Sequence, residues 1–336
     1  MTSAVTTIKD VAALAGVSPA TASRVLSGNP ATSKESRERV VAAASELDFH
    51  PNAQARALRS TRTNVIGLLL SDVRNPFFAD LAHAAEQAAL AEGFVTLLGN
   101  ANENMEQQDR YLDTFISQRV DGVIAAPQGE GSSSLQSLLD RGVPTVFVDR
   151  TVDGINVPSV TTDSARGIRQ AVEHLLGQGH TRVGYIAGPQ TTSTGRERLR
   201  SFSAAAQEAG LSTDPDLTYF GDFRSASGSA GAQQLLALPE PPTALLAADS
   251  PMAVGALATL NSMGIRIGQD MAVIAFDDIE WFSLLETPLT VISNDVEAMG
   301  RASVRLLLDV IGGGRPESIV LPSELIVRAS SAGPHH

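Results

Sequence analysis

Cysteine is absent from the 336 residues, so no disulfide framework can hold this chain together. No apolar run approaches the roughly 20 residues that a bilayer-spanning helix needs; the longest, Val65 to Leu70 and Thr243 to Ala248, are far too short. Met1 to Asp10 lacks the basic flank, apolar stretch and small-residue cleavage site of a secretory signal, which predicts a cytoplasmic protein with no membrane contact. The signatures of the common doubly wound enzymes are missing too. There is no Gly-x-Gly-x-x-Gly after a strand, no phosphate loop and no Gly-x-Ser-x-Gly elbow, and Gly312-Gly313-Gly314 reads as a turn. The histidines, at 50, 83, 174, 180, 335 and 336, show no zinc spacing. Asp277-Asp278 could pass for an acid/base pair, but adjacent residues at a strand end point apart. No catalytic residue, metal or cofactor is expected.

What remains is ordinary globular material: 43% hydrophobic and 18% charged residues, enough for two or three packed domains. The formal net charge of −12 is unevenly spread. Residues 1–62 carry eight Lys and Arg against five Asp and Glu, a balance of +3; the rest carries 17 against 32, a balance of −15. A small basic module joined to a larger acidic one follows, and only the former can approach a phosphate backbone without repulsion.

The basic module reads as three short helices. Thr7 caps the first with Asp10 three residues on, and Val11, Leu14 and Ala15 form its apolar side up to Gly16. Ser18 caps the second, Pro19 opens it, and Val25 and Leu26 supply contacts near its end. Thr32 with Glu35 forms another capping box, before an apolar face of Val40, Val41, Ala44 and Leu47. Helix, tight turn and helix is the spacing of a helix-turn-helix, with Ser18, Thr21, Ser23 and Arg24 on the exposed face of the second helix. Arg24 can donate twice to a guanine edge, and the hydroxyls suit phosphates or base edges. Spacing alone fits a purely structural three-helix bundle equally well.

The residues themselves carry more. Thr7-Ile8-Lys9-Asp10-Val11-Ala12, then Ala15-Gly16-Val17-Ser18 and Thr21-Ala22-Ser23-Arg24-Val25-Leu26, resemble the lactose repressor (LacI/GalR) family of bacterial transcription factors. Phe49-His50-Pro51-Asn52-Ala53-Gln54-Ala55-Arg56-Ala57-Leu58-Arg59 resembles that family's hinge. The resemblance implies a headpiece over 1–50, a hinge helix and linker over 51–62, and an effector-binding, dimerising core over 63–336. It also implies DNA contacts from Thr7, Asn52, Ala55 and Leu58, the last a wedge in the minor groove, where unstacking costs a few kcal/mol. The partners so implied are a palindromic double-stranded operator, a second copy of the chain in a homodimer, and a small effector, in a nucleoid-associated bacterial protein. Pro19 and Ala20 stand where members often place larger base-reading side chains, so readout there is sparse.

From Asn64 onward apolar runs alternate with helical stretches. Val65–Leu70, Phe94–Leu98, Gly122–Ala126, Thr145–Val148, Val183–Ala187, Ala244–Ala248 and Met271–Phe276 read as buried parallel strands, and right-handed crossovers make two doubly wound α/β lobes. The family implies a periplasmic-binding-protein-like core crossed three times, near Thr162, Ser293 and Pro322. The N-lobe then holds about 63–162 and 294–321, and the C-lobe about 163–293 and 322–330.

Ligands of such sheets bind beyond the carboxyl ends of the strands. Asn75-Pro76-Phe77-Phe78, Asp149-Arg150, Arg196, Arg198, Asp249 and Asp277 lie there, a ring of carboxylates, arginines and aromatics suited to a polyol. The family resemblance assigns Phe77, Phe78, Thr194, Arg198, Phe223, Asp249 and Asp277 to the effector pocket, with Asp149 close by. The competing reading makes the phenylalanines core and the aspartates helix caps. Asn100 to Tyr111 and Val120-Asp121-Gly122-Val123 resemble the ribose and purine branch, which points to ribose or a nucleoside. The rival functions are a transport solute-binding protein, or a regulator using a purine, a phosphorylated metabolite or a partner protein as corepressor.

Overall fold

Local sequence signals shape the first of two units, 1–63 and 64–336, in the computed structural model, which describes residues 6–26, 31–49 and 62–331. Helix α1 (Ile8–Leu14) is capped by Thr7, whose N–H and hydroxyl both donate to the Asp10 carboxylate, at 2.8 and 2.7 Å. Those bonds hold the Asp10 carboxyl below its ordinary range. Gly16 closes the turn at φ 63°, a conformation that costs glycine little. Helix α2 (Pro19–Leu26) starts where the Ser18 hydroxyl accepts the Thr21 N–H at 3.1 Å.

Helix α3 (Lys34–Glu46) departs from expectation. Ser33 caps it by accepting the Ser36 N–H at 3.2 Å, one residue beyond Thr32, so Glu35 is not placed to complete a box. The three helices enclose Val11, Ala12, Ala15, Ala22, Val25, Val40, Ala43 and Ala44. Leu14 and Val41, expected inside, are 48% and 55% exposed. A 3.6-residue period from Val40 runs through Ala43, Ala44 and Leu47, which turns Val41 by roughly 100° towards water.

The second unit carries eleven strands in one continuous order. In chain order they are β1 (Val65–Leu70), β2 (Val95–Asn100), β3 (Gly122–Ala125), β4 (Thr145–Val148), β5 (Ser159–Asp163), β6 (Val183–Ala187), β7 (Thr218–Phe220), β8 (Ala244–Ala247), β9 (Ala272–Phe276), β10 (Thr290–Asn294) and β11 (Ile319–Ile326). The order across the sheet is β2-β1-β3-β4-β5-β11-β10-β9-β8-β6-β7. All neighbours are parallel except β10 and β11. Helices α4 (Pro76–Ala91), α5 (Met105–Gln118), α6 (Ser133–Asp140), α7 (Ser164–Gly177), α8 (Ser193–Ala209), α9 (Ser225–Leu236), α10 (Ser250–Ser262) and α11 (Val296–Ile311) flank it.

The buried strands are those with continuous apolar runs, as both faces of a parallel sheet are covered. β2 is different: as the first strand of the order it leaves Val95 and Leu98 61% and 46% exposed, where a buried strand was expected. β5, β7, β10 and β11 are additional to the strands read from the sequence.

β11 divides the unit into two lobes. Its first half, Ile319 to Pro322, pairs in parallel with β5, and its second half, Ser323 to Ile326, pairs antiparallel with β10. The chain also passes from one lobe to the other between β5 and α7, and returns between β10 and α11. At the seam the Ser323 hydroxyl donates to the Asp163 carbonyl at 2.6 Å and accepts the Gly167 N–H at 3.1 Å. One lobe is packed around Ile66, Leu68, Leu70, Leu81, Val146 and Leu307, the other around Tyr185, Leu246, Ile274 and Phe276. Among the described residues no helix is long and apolar enough to cross a membrane.

Candidate functional site

In the helical unit, α2 turns Ala22 and Val25 inward and leaves Ser18 and Arg24 exposed, with Thr21 and Ser23 half-buried. The Ser18 and Thr21 hydroxyls lie 2.9 Å apart and the exposed Thr7 hydroxyl donates to Asp10, so all three also serve helix starts. Asn52, Ala55 and Leu58 lie outside the described residues.

In the larger unit the carboxyl ends of both sheets converge on one polar cluster. Asp149, directly after β4, sits at φ 61°, and the Arg150 N–H closes on the Val148 carbonyl at 2.6 Å. This three-residue turn aims both side chains into the cleft rather than along the strand. Phe223 and Asp277 follow β7 and β9 at φ 62° and 71°. Non-glycine residues in left-handed backbone cost on the order of 1–3 kcal/mol each, and such strain gathers where side chains must be aimed.

The guanidinium of Arg150 forks onto Glu103, Nη1 to Oε2 and Nη2 to Oε1, both at 2.8 Å, and Nη1 also donates to Gln128 Oε1 at 3.0 Å. Its centre lies 5.1 Å from the Phe223 ring and 5.7 Å from Phe78. Phe77 packs edge-on against Phe78 at 5.0 Å, within the lobe core. Arg198, one turn along α8 from Thr194, donates to the Ala248 carbonyl at 2.7 Å and lies 3.7 Å from the Phe276 ring. The two arginines flank Asp149: Arg198 Nη2 is 3.9 Å from Oδ1 and Arg150 Nε 3.7 Å from Oδ2.

Asp249 does two things. Its Oδ1 caps α10 by accepting the Met252 N–H at 2.9 Å, while Oδ2 is buried with no hydrogen-bond partner in the protein. The cap reading is therefore right for one oxygen and silent on the other. Asp277 accepts Asn294 Nδ2 at 2.9 Å, whereas Asp278 pairs with Arg328 at 2.7 Å on a different side. Buried atoms without a protein partner include Arg150 Nε, Arg198 Nε, Thr194 Oγ1, Asp249 Oδ2, Asn294 Oδ1 and the Tyr185 hydroxyl. Buried polar groups are nearly always satisfied, so a cluster of exceptions from both lobes calls for an outside partner.

Burial raises the Asp277 carboxyl to about 6, against the pull of Arg198 and with the push of Asp149. Burial lifts Asp249 well above its ordinary value, partly opposed by the Met252 N–H and reinforced by Asp277. Burial raises Asp149 as well, moderated by Arg198 and then Arg150. Burial works against the Arg150 charge, but Glu103 and then Asp149 outweigh it.

Beside the Arg198–Asp149 and Arg150–Phe223 approaches, four hydrogen bonds among the described residues tie the lobes across the cleft. Ser250 Oγ donates to Asn75 Oδ1 at 3.2 Å, the Thr151 N–H to Ser193 Oγ at 2.9 Å, Arg224 to the Asn102 carbonyl at 2.9 Å, and Arg196 to Asp153 at 2.8 Å. Arg224 also lines a chamber of about 600 Å³, with Glu103, Gln128, Pro189, Thr192 and Asp222 among others.

Of the residues expected from the sequence, Phe78, Asp149, Thr194, Arg198, Phe223, Asp249 and Asp277 surround the cleft. Asn75, read from the sequence as following the first strand, is there too, and Glu103, Gln128 and Asn294 join them without having been singled out, although Glu103 follows a strand as Asp149 does. Among the described residues no group of three or more His, Asp or Glu is placed to hold a metal ion.

Residues 7–52 match the model of bacterial regulatory proteins of the lacI family, and 172–331 match a periplasmic binding protein-like domain. The chain is 32% identical over 306 residues to the HTH-type transcriptional repressor PurR of Aliivibrio salmonicida, covering 91% of this chain and 92% of that one. Among solved structures it is similar to the lac repressor dimer bound to operator and the anti-inducer ONPF, with TM-score 0.86, 29% identity and coverage of 97% and 99%. It is also similar to the transcriptional regulator CelR in complex with cellobiose, with TM-score 0.74, 34% identity and the same coverage.

Proposed function

This chain belongs to the lacI family of bacterial regulatory proteins, and from that premise we propose a transcriptional repressor whose operator affinity is set by a neutral sugar or nucleoside held between the lobes. The observation that carries the ligand class is the cluster of unpartnered buried polar atoms, Arg150 Nε, Arg198 Nε, Thr194 Oγ1, Asp249 Oδ2 and Asn294 Oδ1. They include both donors and acceptors, and the two guanidiniums lie beside the Phe78, Phe223 and Phe276 rings. A polyol matches that mixture, each hydroxyl donating to a carboxylate while accepting from a guanidinium, with C–H faces for the rings.

In this reading two chains pair, and two α2 helices enter successive major grooves with Ser18, Thr21, Ser23 and Arg24 towards the duplex. Residues 51–62, with Asn52, Ala55 and Leu58, join each headpiece to its core. The ligand fixes the angle between the lobes, and that angle governs how the two headpieces are held. The coupling is reciprocal, so a ligand that weakens operator binding is itself bound more weakly by the operator complex. A 100-fold change in operator affinity requires about 2.7 kcal/mol of differential binding.

The test is thermal melting of the full chain against free sugars, nucleosides, purines and sugar phosphates, followed by operator-binding titrations with each stabilising compound. A compound that binds only the native cleft raises the melting temperature by mass action. A sugar or nucleoside that does so and shifts operator affinity is the expected result; stabilisation by phosphorylated compounds alone would overturn the ligand class.

A further inference from the structure

The proposed ligand site stops abruptly at one side chain. Glu103 is held inward by two consecutive left-handed residues, Asn102 at φ 53° and Glu103 at φ 51°, and by its own N–H donating to the Ser71 carbonyl at 2.8 Å. The Asn102 side chain accepts from Arg74 at 2.8 Å and its carbonyl accepts from Arg224 of the other lobe at 2.9 Å, so the loop is pinned from both sides of the cleft. The Glu103 carboxylate is only 8% exposed and its two oxygens take both ends of the Arg150 fork. Gln128 holds the same guanidinium from a second direction at 3.0 Å.

The position of this assembly is informative. Glu103 and Gln128 line the outer chamber of about 600 Å³, and Asp149, Arg198, Asp249 and Asp277 do not. Arg150, bonded to Glu103 and Gln128 on that side, turns its unpartnered Nε towards Asp149 at 3.7 Å on the other. The guanidinium and the two side chains that grip it therefore form a wall between the polar inner end of the cleft and a chamber large enough for a second sugar ring or a base.

We propose that the Glu103–Arg150–Gln128 wall is a length gate that restricts the ligand to a single unsubstituted monosaccharide. This rests on the sugar-binding reading above and narrows it: the unpartnered polar atoms behind the wall take one free aldose, while a disaccharide or nucleoside built on the same aldose requires Glu103 to leave Arg150. Parting a buried, bidentate, charge-assisted pair is costly, because each ion would stay in the cleft without its partner. The same geometry disfavours an anionic ligand, since a phosphate on Arg150 must compete with a carboxylate already in place.

The gate is tested by calorimetric titration of the full chain with D-ribose, D-glucose and D-galactose, each paired with an extended counterpart, uridine, cellobiose and lactose, and with ribose 5-phosphate. At least one free aldose is expected to bind the wild-type protein more tightly than its extended or phosphorylated form by at least about tenfold. Glu103→Ala should shift that ratio towards the extended compound by about tenfold or more, with cooperative melting checked in parallel. Gln128→Ala, which keeps the ion pair, should shift it in the same direction but less. An extended compound or ribose 5-phosphate binding the wild-type chain as tightly as the free aldose overturns the gate and leaves the cleft reading standing. An unchanged ratio in a folded Glu103→Ala protein also overturns it. No binding by any compound overturns both readings.

Discussion

Asp277 shows how much one buried side chain can make the site depend on pH. Its carboxyl is raised to about 6, by burial first, against an ordinary value of 3.8. The folded chain therefore takes up this proton before the unfolded chain does. Below about 4 the group contributes its full relative stability to the unliganded fold, and as pH rises through about 6 that contribution, on the order of 3 kcal/mol, is lost. Binding runs the other way, because only the carboxylate accepts from two hydroxyls. Sugar affinity should hold steady above pH 7 and fall as pH drops through 6. Asp277→Asn should bind more weakly at pH 7.5 and lose the pH-dependence over this range; titrations from pH 5 to 8 on both proteins would show it, and parallel profiles would remove Asp277 from the site.

At the scale of elements, helices α9 and α10 approach backbone to backbone at Gly228 and Gly255. A Cβ on Gly255 would run into the Ser225 carbonyl and lie 2.7 Å from the Ser229 amide nitrogen, while Ser229 Oγ already donates to the Gly255 carbonyl at 2.9 Å. Since backbone rather than a flexible side chain is in the way, Gly255→Ala should lower stability by about 1–3 kcal/mol in urea unfolding. It should also loosen the start of α10, where Asp249 is the cap. The elements differ in how plainly the sequence declares them. β1, β3, β4, β6, β8 and β9 are continuous apolar runs because helices cover both their faces. β5 and β10, Ser-Val-Thr-Thr-Asp and Thr-Val-Ile-Ser-Asn, are mostly polar because each ends where the chain changes lobe, and β7 is a three-residue strand at the end of the sheet order. The site follows the same logic. Asp149 and Asp277 stand directly after legible strands, and as carboxylates they suit the proposed polyol. Glu103 stands three residues past β2 in an Asn-rich loop, where Asn104 caps α5, so its neighbours read as turn chemistry. Its bond to Arg150 joins positions 47 residues apart, which no local pattern reports.

For the whole molecule, the ties across the cleft set the balance between open and shut. Arg196–Asp153 lies near the surface and is worth little alone, as exposed ion pairs generally are, but Arg224 adds a bond to the backbone of the loop that carries Glu103. Removing both, in Arg196→Ala with Arg224→Ala, should widen the lobe angle in the sugar-free protein and weaken sugar binding by about tenfold. Small-angle scattering would report the first effect as a larger radius of gyration that sugar reverses; scattering identical to wild type would assign closure to other contacts. Beyond these side chains stands β11, the one strand that belongs to both sheets. A ribosome delivers it after every other strand, so neither lobe can be completed while the rest of the core waits outside the exit tunnel. The helical unit, made first and needing nothing from β11, can fold well before either lobe is complete. Since synthesis runs at about 5–20 residues per second, a nascent chain can carry the helix-turn-helix for seconds before the ligand-binding core is closed.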